Sequence, residues 1–107
     1  MRDYIHVNDL ADAHVSALER LAGGADSIAV NLGTGTGYSV KEVLDKIEQV
    51  TGRKVPARVA PRRAGDPPAL VADPRLAEQV LHWKATRSLD DIVGTAWRWM
   101  QLSLIHI

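Results

Sequence analysis

Ser27-Ile28-Ala29-Val30-Asn31-Leu32-Gly33-Thr34-Gly35-Thr36-Gly37-Tyr38-Ser39-Val40-Lys41-Glu42 is the stretch that decides the fold class. Ile28, Val30 and Leu32 alternate with Ala29 and Asn31, the period of a β-strand. A glycine-rich turn follows. Ser39 and Glu42 then stand at the spacing of a capping box, in which each side chain satisfies a backbone N–H of the other. Val40, Val43, Leu44, Ile47 and Val50 recur at helical steps and predict one buried stripe, and Gly52 supplies a left-handed stop. Strand, turn and capped helix in succession predict a mixed α/β chain.

This layout invites comparison with a dinucleotide fingerprint, G-x-G-x-x-G. Here the glycines fall at Gly33, Gly35 and Gly37, so the third comes one residue early, and no acid caps a following strand about 20 residues on. We read the loop as a tight turn into a capped helix and not as a cofactor cradle.

Beyond Gly52, Val55 to Ala60 predicts a second short strand. It leads into Pro61-Arg62-Arg63-Ala64-Gly65-Asp66-Pro67-Pro68. Proline fixes φ and glycine frees it, so this loop is stiff at its ends and turns at one point. Two readings fit it. One is a solvated loop with incidental charge. The other is an anion site, with guanidinium forks matched to phosphate oxygens and a carboxylate placed to accept from hydroxyls. Arg53, Lys54, Arg58, Arg62 and Arg63 fall between Gln49 and Gly65 with no acid among them, a local cation excess that makes this region an anion-site candidate more than part of a whole-protein field.

Toward the N-terminus, Tyr4-Ile5-His6-Val7 is β-prone. Asn8 reads as a helix N-cap, with Asp9 and Asp12 as first-turn charges. Leu10, Ala13, His14, Ala17, Leu18 and Leu21 give that helix its apolar face, and Gly23-Gly24 ends it. His14 has no ligand-spaced partner and reads as a packed or hydrogen-bonded histidine. Toward the C-terminus, Leu70-Val71-Ala72 is a brief extended piece. Asp73-Pro74 reads as an N-cap followed by proline at the first helical position. Leu76, Ala77, Val80 and Leu81 line this short helix, and His82 falls where a left-handed residue is needed, a conformation histidine tolerates better than most. Ser88 to Asp91 starts a last amphipathic helix through Met100, and Trp83, Trp97 and Trp99 are expected to anchor packing there. The sum is about four helices and two or three short strands.

Composition limits the function classes. The 107 residues carry 13 Lys+Arg and 13 Asp+Glu, and this balance argues against a general nucleic-acid binder. There is no cysteine, which removes disulfides and thiolate metal sites and is compatible with a reducing cytosol. No apolar run reaches the roughly 18 residues of a membrane span, and no long apolar segment follows Arg2-Asp3 as in a signal peptide. The serines Ser16, Ser27, Ser39, Ser88 and Ser103 have helix or cap explanations, so no nucleophilic triad emerges. Asp90 and Asp91 read as helix-start charges and not as a glycosidase pair.

Arg2-Asp3-Tyr4-Ile5-His6-Val7-Asn8-Asp9-Leu10-Ala11-Asp12-Ala13-His14, then Asn31-Leu32-Gly33-Thr34-Gly35, then Pro61-Arg62-Arg63-Ala64-Gly65-Asp66 together resemble the UDP-glucose 4-epimerase family, in its order and near its spacing. Leu81-His82-Trp83-Lys84 is similar to that family's Leu-Gly-Trp-Lys element, with His in place of Gly. The resemblance covers residues 2 to about 101. It implies the small substrate-binding subdomain of an extended short-chain dehydrogenase, without the N-terminal dinucleotide-binding domain.

The family interconverts UDP-glucose and UDP-galactose through a 4-keto intermediate on bound NAD, with a Tyr-x-x-x-Lys pair for proton transfer. No such pair occurs here, since Tyr4 is followed four on by Asn8 and Tyr38 by Glu42. The resemblance therefore implies no catalytic residue in this chain and places NAD on an absent domain. For the substrate it implies Arg2 and Arg63 on the diphosphate, Tyr4 in the UDP pocket and Asp66 on the ribose. Leu70 stands at a position limiting sugar size, and Arg62 supports the loop. It further implies a cytoplasmic homodimer for the complete enzyme.

Met1 directly precedes the Arg-Asp-Tyr element, and the apolar tail 102–107 is unlike the polar ends of the family. These departures divide the chain into 1–101 and a tail of doubtful origin, and lead us to expect a truncated or partly artefactual reading frame, inactive alone. The rival readings are another NAD-dependent nucleotide-sugar epimerase or dehydratase, which the Arg-Arg-x-Gly-Asp loop disfavours, and a stand-alone binding module.

Overall fold

A computed structural model describes residues 1–61 and 63–105. Arg62 lies outside the described residues. Four helices are present among them: α1 (Val7–Ala22), α2 (Val40–Thr51), α3 (Arg75–Leu81) and α4 (Leu89–Ile105). Two short strands, β1 (Arg2–Asp3) and β2 (Gly37–Tyr38), pair antiparallel with Arg2 opposite Tyr38 and Asp3 opposite Gly37. Leu70 joins the other side of β1 through a parallel bridge to Arg2, with its N–H donating to the Met1 carbonyl at 2.9 Å. The α/β class and the helix number follow the sequence reading; the strand positions do not.

Ser27–Leu32 and Val55–Ala60 are not strands. A strand is held by ladder bonds to a neighbour, and neither segment has one among the described residues. Val30 and Leu32 still pack against the core, whereas Val59 stands 99% exposed. The pairing falls instead on Arg2–Asp3, because the chain turns into α1 already at Val7. Asn8 is not the N-cap: His6 is, accepting the Asn8 N–H on Nδ1 at 3.0 Å. With Nδ1 accepting, Nε2 carries the hydrogen and donates to Thr95 Oγ1 at 2.9 Å, tying α1 to α4. His6 is buried by this double role.

Helix α2 has the expected capping box and ends on Gly52 at φ +70°. Helix α3 starts one residue later than expected. Pro74 occupies the cap position, and Asp73 accepts from the Arg75 N–H at 3.2 Å and from its guanidinium. His82 closes α3 at φ 52°, the left-handed cap that its place after Leu81 predicts. Helix α4 runs without a break from Leu89 through residues 102–105.

Ala13, Ala77, Leu81 and Trp83 form the core between α1 and α3, with Ile5, Ala17, Val30, Leu32, Val80 and Ala85 packed on it. Asp9, expected as a solvated first-turn charge, is instead its polar hub, with its residue 1% exposed. Its carboxylate accepts from the Arg87 N–H at 3.1 Å and the Arg87 guanidinium at 2.6 Å, and its carbonyl accepts from Trp83 Nε1–H at 2.9 Å. Burial raises the Asp9 pKa. The bonds from the Arg87 backbone and guanidinium and from Thr86 outweigh it, so Asp9 titrates below the ordinary carboxylate value.

Helices α2 and α4 pack against each other, with Val43, Ile47, Val93 and Trp97 lining an apolar groove of about 320 Å³ between them, the Arg53 guanidinium over the Trp97 ring at 5.3 Å and Lys46 paired to Asp90 at 2.9 Å. Leu18, Leu21, Val40 and Met100 do not pack inward as their spacing predicts, and Trp99, expected as a packing anchor, is exposed. The accessible surface is 8163 Å², against about 5,900 Å² for a compact protein of this mass. The radius of gyration is 16.9 Å, against about 13 Å for a compact domain of this length. The apolar faces of α1 and α4 are wider than the elements present can cover.

Candidate functional site

The site is assembled at β1. Asp3 fixes this strand. Its carboxylate accepts from the Thr34 N–H at 3.0 and 3.1 Å, the Thr34 hydroxyl at 2.8 Å, the Gly35 N–H at 3.1 Å and the Ala72 N–H at 3.3 Å. One side chain thereby joins β1, the glycine turn and the segment after Leu70. The approach is close enough that a Cβ at Gly33 would lie 2.6 Å from both Asp3 Oδ2 and Ala72 Cβ.

These bonds also settle what the glycine turn can hold. In a dinucleotide fold, amides of such a turn face a pyrophosphate. Here the Thr34 and Gly35 amides already donate to a protein carboxylate. With those amides engaged, the residues of this turn do not fit a dinucleotide.

With Asp3 held, Arg2 projects toward the loop between Pro61 and Pro68. Its Nη1 donates to the carbonyls of Met1 at 2.8 Å and Pro67 at 3.1 Å, and its Nη2 donates to Asp66 Oδ1 at 3.1 Å. Arg63 Nη2 donates to Asp66 Oδ2, also at 3.1 Å. The backbone turns between them: the Asp66 N–H donates to the Arg63 carbonyl at 3.2 Å, and Gly65 has φ +78°. A positive φ at the third residue of a four-residue turn is the glycine requirement of a type II turn.

Arg2, Arg63, Asp66, Tyr38, Val40, Met1, Pro67 and Pro68 line a groove of about 320 Å³. The structure therefore brings together Arg2, Arg63 and Asp66 as expected. Tyr4 and Leu70 do not line this groove. Tyr4 is half-buried between β1 and α1, and Leu70 is exposed beside Arg2. The cation excess between Gln49 and Gly65 is not one patch, since Arg53 is committed to Trp97. Sequence reasoning missed Tyr38, which reaches the groove only through its pairing with Arg2, and Asp3, whose partners are 31 to 69 positions away. No local pattern signals either one.

A larger groove of about 460 Å³ lies between the start of α1 and α4, lined by Ile5, Val7, Ile92, Ala96 and Trp99 among others. Its lining has no Lys, Arg, Asp or Glu, unlike the smaller one, which has Arg2, Arg63 and Asp66. Among the described residues no helix is long and apolar enough to cross a membrane.

No protein-family model matches the chain. Comparison with individual proteins is more informative. The chain is 50% identical over 99 residues to the UDP-glucose 4-epimerase of Bacillus subtilis, covering 92% of this chain and 29% of that protein. It is 51% identical over 106 residues to that of Rhizobium leguminosarum bv. trifolii, covering 99% and 32%. A crystal structure of the Stenotrophomonas maltophila UDP-glucose 4-epimerase, with bound NAD and formylated UDP-arabinopyranose, superposes with a TM-score of 0.92 at 45% identity, covering 98% of this chain and 31% of that one.

The fold is similar to that of the C-terminal part of an extended short-chain dehydrogenase. Within that class, the chain corresponds to a C-terminal portion of UDP-glucose 4-epimerase, and spans about 30% of the length of the relatives it matches.

Proposed function

We propose that this chain supplies the nucleotide-sugar-holding part of an enzyme that interconverts UDP-glucose and UDP-galactose. Arg2 and Arg63 grip the diphosphate, Asp66 accepts from a ribose hydroxyl, Tyr4 contributes to the uridine end and Leu70 limits the size of the sugar. The observation that carries the reading is the convergence of Arg2 and Arg63 on one carboxylate, each at 3.1 Å. Two guanidiniums that share a carboxylate are close enough to share a diphosphate.

The hydride step lies outside these residues: the chain has no Tyr-x-x-x-Lys pair, and its glycine turn is filled by Asp3. Under the same reading the complete enzyme is a cytoplasmic homodimer, an extension that rests on the family resemblance. Titration of UDP tests the site. Arg63→Ala is expected to weaken binding by about 1.5–3 kcal/mol, the range for hydrogen bonds to charged groups. Unchanged affinity removes Arg63 from the site.

A further inference from the structure

Asp66 occupies the space between the two guanidiniums that the diphosphate of the reading above would take. Its two oxygens are divided, Oδ1 to Arg2 and Oδ2 to Arg63. The cations are held unequally. Arg2 is also anchored by the Met1 and Pro67 carbonyls and its side chain is 33% exposed. The Arg63 side chain is 85% exposed, and among the described residues its guanidinium reaches only Asp66.

We infer that Asp66 is a specificity-determining residue: an internal counter-anion that yields the two arginines to a diphosphate only when the ligand also carries hydroxyls to satisfy the released carboxylate. The chemistry gives the direction. Exposed ion pairs are weak, so Asp66 gives up Arg63 readily. Once a diphosphate takes the guanidiniums, however, Asp66 is left with unpaired oxygens beside a polyanion. A nucleoside diphosphate relieves this by donating ribose hydroxyls into that carboxylate. Bare pyrophosphate has no ribose hydroxyl to place there and brings a higher charge, so it leaves like charges facing each other. Rejection of the wrong ligand by an unpaired charge is a means of discrimination separate from attraction of the right one. Arg63 is the moving member of the pair and Arg2 the fixed one.

The inference rests on the nucleotide-sugar reading, and the test separates the two. UDP and inorganic pyrophosphate are titrated into the 107-residue chain and into its Asp66→Asn and Asp66→Ser variants. Removing the charge is expected to tighten pyrophosphate binding while weakening UDP, narrowing the preference for UDP by roughly tenfold or more, the scale of one charge-assisted bond. Agreement of the two variants shows that the effect belongs to the lost charge and not to the new side chain. If both variants bind pyrophosphate no better than the parent chain, while Arg63→Ala still weakens UDP, the counter-anion role is wrong and the site stands. If Arg63→Ala leaves UDP binding unchanged, the site reading fails and this inference fails with it.

Discussion

Asp3 accepts both the backbone N–H and the hydroxyl of Thr34, at 3.0 and 2.8 Å, across 31 positions of sequence. That contact orients β1 and thereby aims Arg2 into the groove. Asp3→Asn keeps one acceptor oxygen and loses the other with the charge. It should destabilise the chain by about 1.5–3 kcal/mol, the range for hydrogen bonds to a charged group, measured by chemical denaturation. UDP affinity should fall with it, although Asp3 does not line the groove; undiminished affinity would show that Arg2 is aimed by something else.

Asp9 predicts the acid limb of stability. Its folded pKa lies below the ordinary value of 3.8, so it binds its proton more weakly folded than unfolded. The stabilisation is present above the unfolded pKa and is lost as pH falls through the folded one. Stability should drop below about pH 4, and Asp9→Asn should flatten that limb while lowering stability at neutral pH. A limb unchanged in Asp9→Asn would assign acid unfolding to other carboxylates.

His82 is exposed and sits at φ 52°. A side chain in this region costs about 1–2 kcal/mol relative to glycine, partly offset by the greater freedom glycine gives the unfolded chain. His82→Gly should therefore raise stability by about 0.5–1 kcal/mol. A loss would mean the imidazole makes a contact that outweighs the backbone strain.

Gly65 has φ +78° and open space where a Cβ would sit. Gly65→Ala therefore acts through the backbone alone, at a cost of about 1–2 kcal/mol. The turn should relax and separate Arg63 from Asp66. The expected result is weaker UDP binding with little change in Asp9 or Trp83, both remote from the loop; Trp83 fluorescence and UDP titration check the two halves separately.

The purified 107-residue chain, given NAD and UDP-galactose, should produce no UDP-glucose. It lacks a Tyr-x-x-x-Lys pair, and the turn that resembles a cofactor loop is occupied by its own carboxylate. Turnover in a coupled assay would require acid–base groups assigned here to structural roles.

Much of the architecture was legible because its signals are local. The Ser39–Glu42 box and the left-handed ends at Gly52 and His82 each act within a few residues, and each holds, while the helical apolar steps give the helices but not the burial of Leu18, Leu21 and Val40. The two long strands failed because alternation marks a segment able to pair, while pairing needs a partner that the segment does not specify. Asn8 lost the cap to His6 for a related reason: the imidazole also gains Thr95 across 89 positions. In the site, Arg2, Arg63 and Asp66 were named from motif resemblance and guanidinium chemistry, and the fold brings them together. Asp3 and Tyr38 were invisible because their roles exist only once β1 and β2 meet.

The crowding around Gly33 carries a consequence for how this chain can change. A single added methyl there would press on Asp3 and Ala72 at once, forcing apart the three backbones that meet at β1. In a saturation scan, position 33 should thus be among the least tolerant of replacement even though it does not line the groove. Val59, almost wholly in solvent, should accept nearly any side chain. Tolerance along this chain would follow the room left between crossing backbones more closely than distance from the groove that Arg2 and Arg63 line.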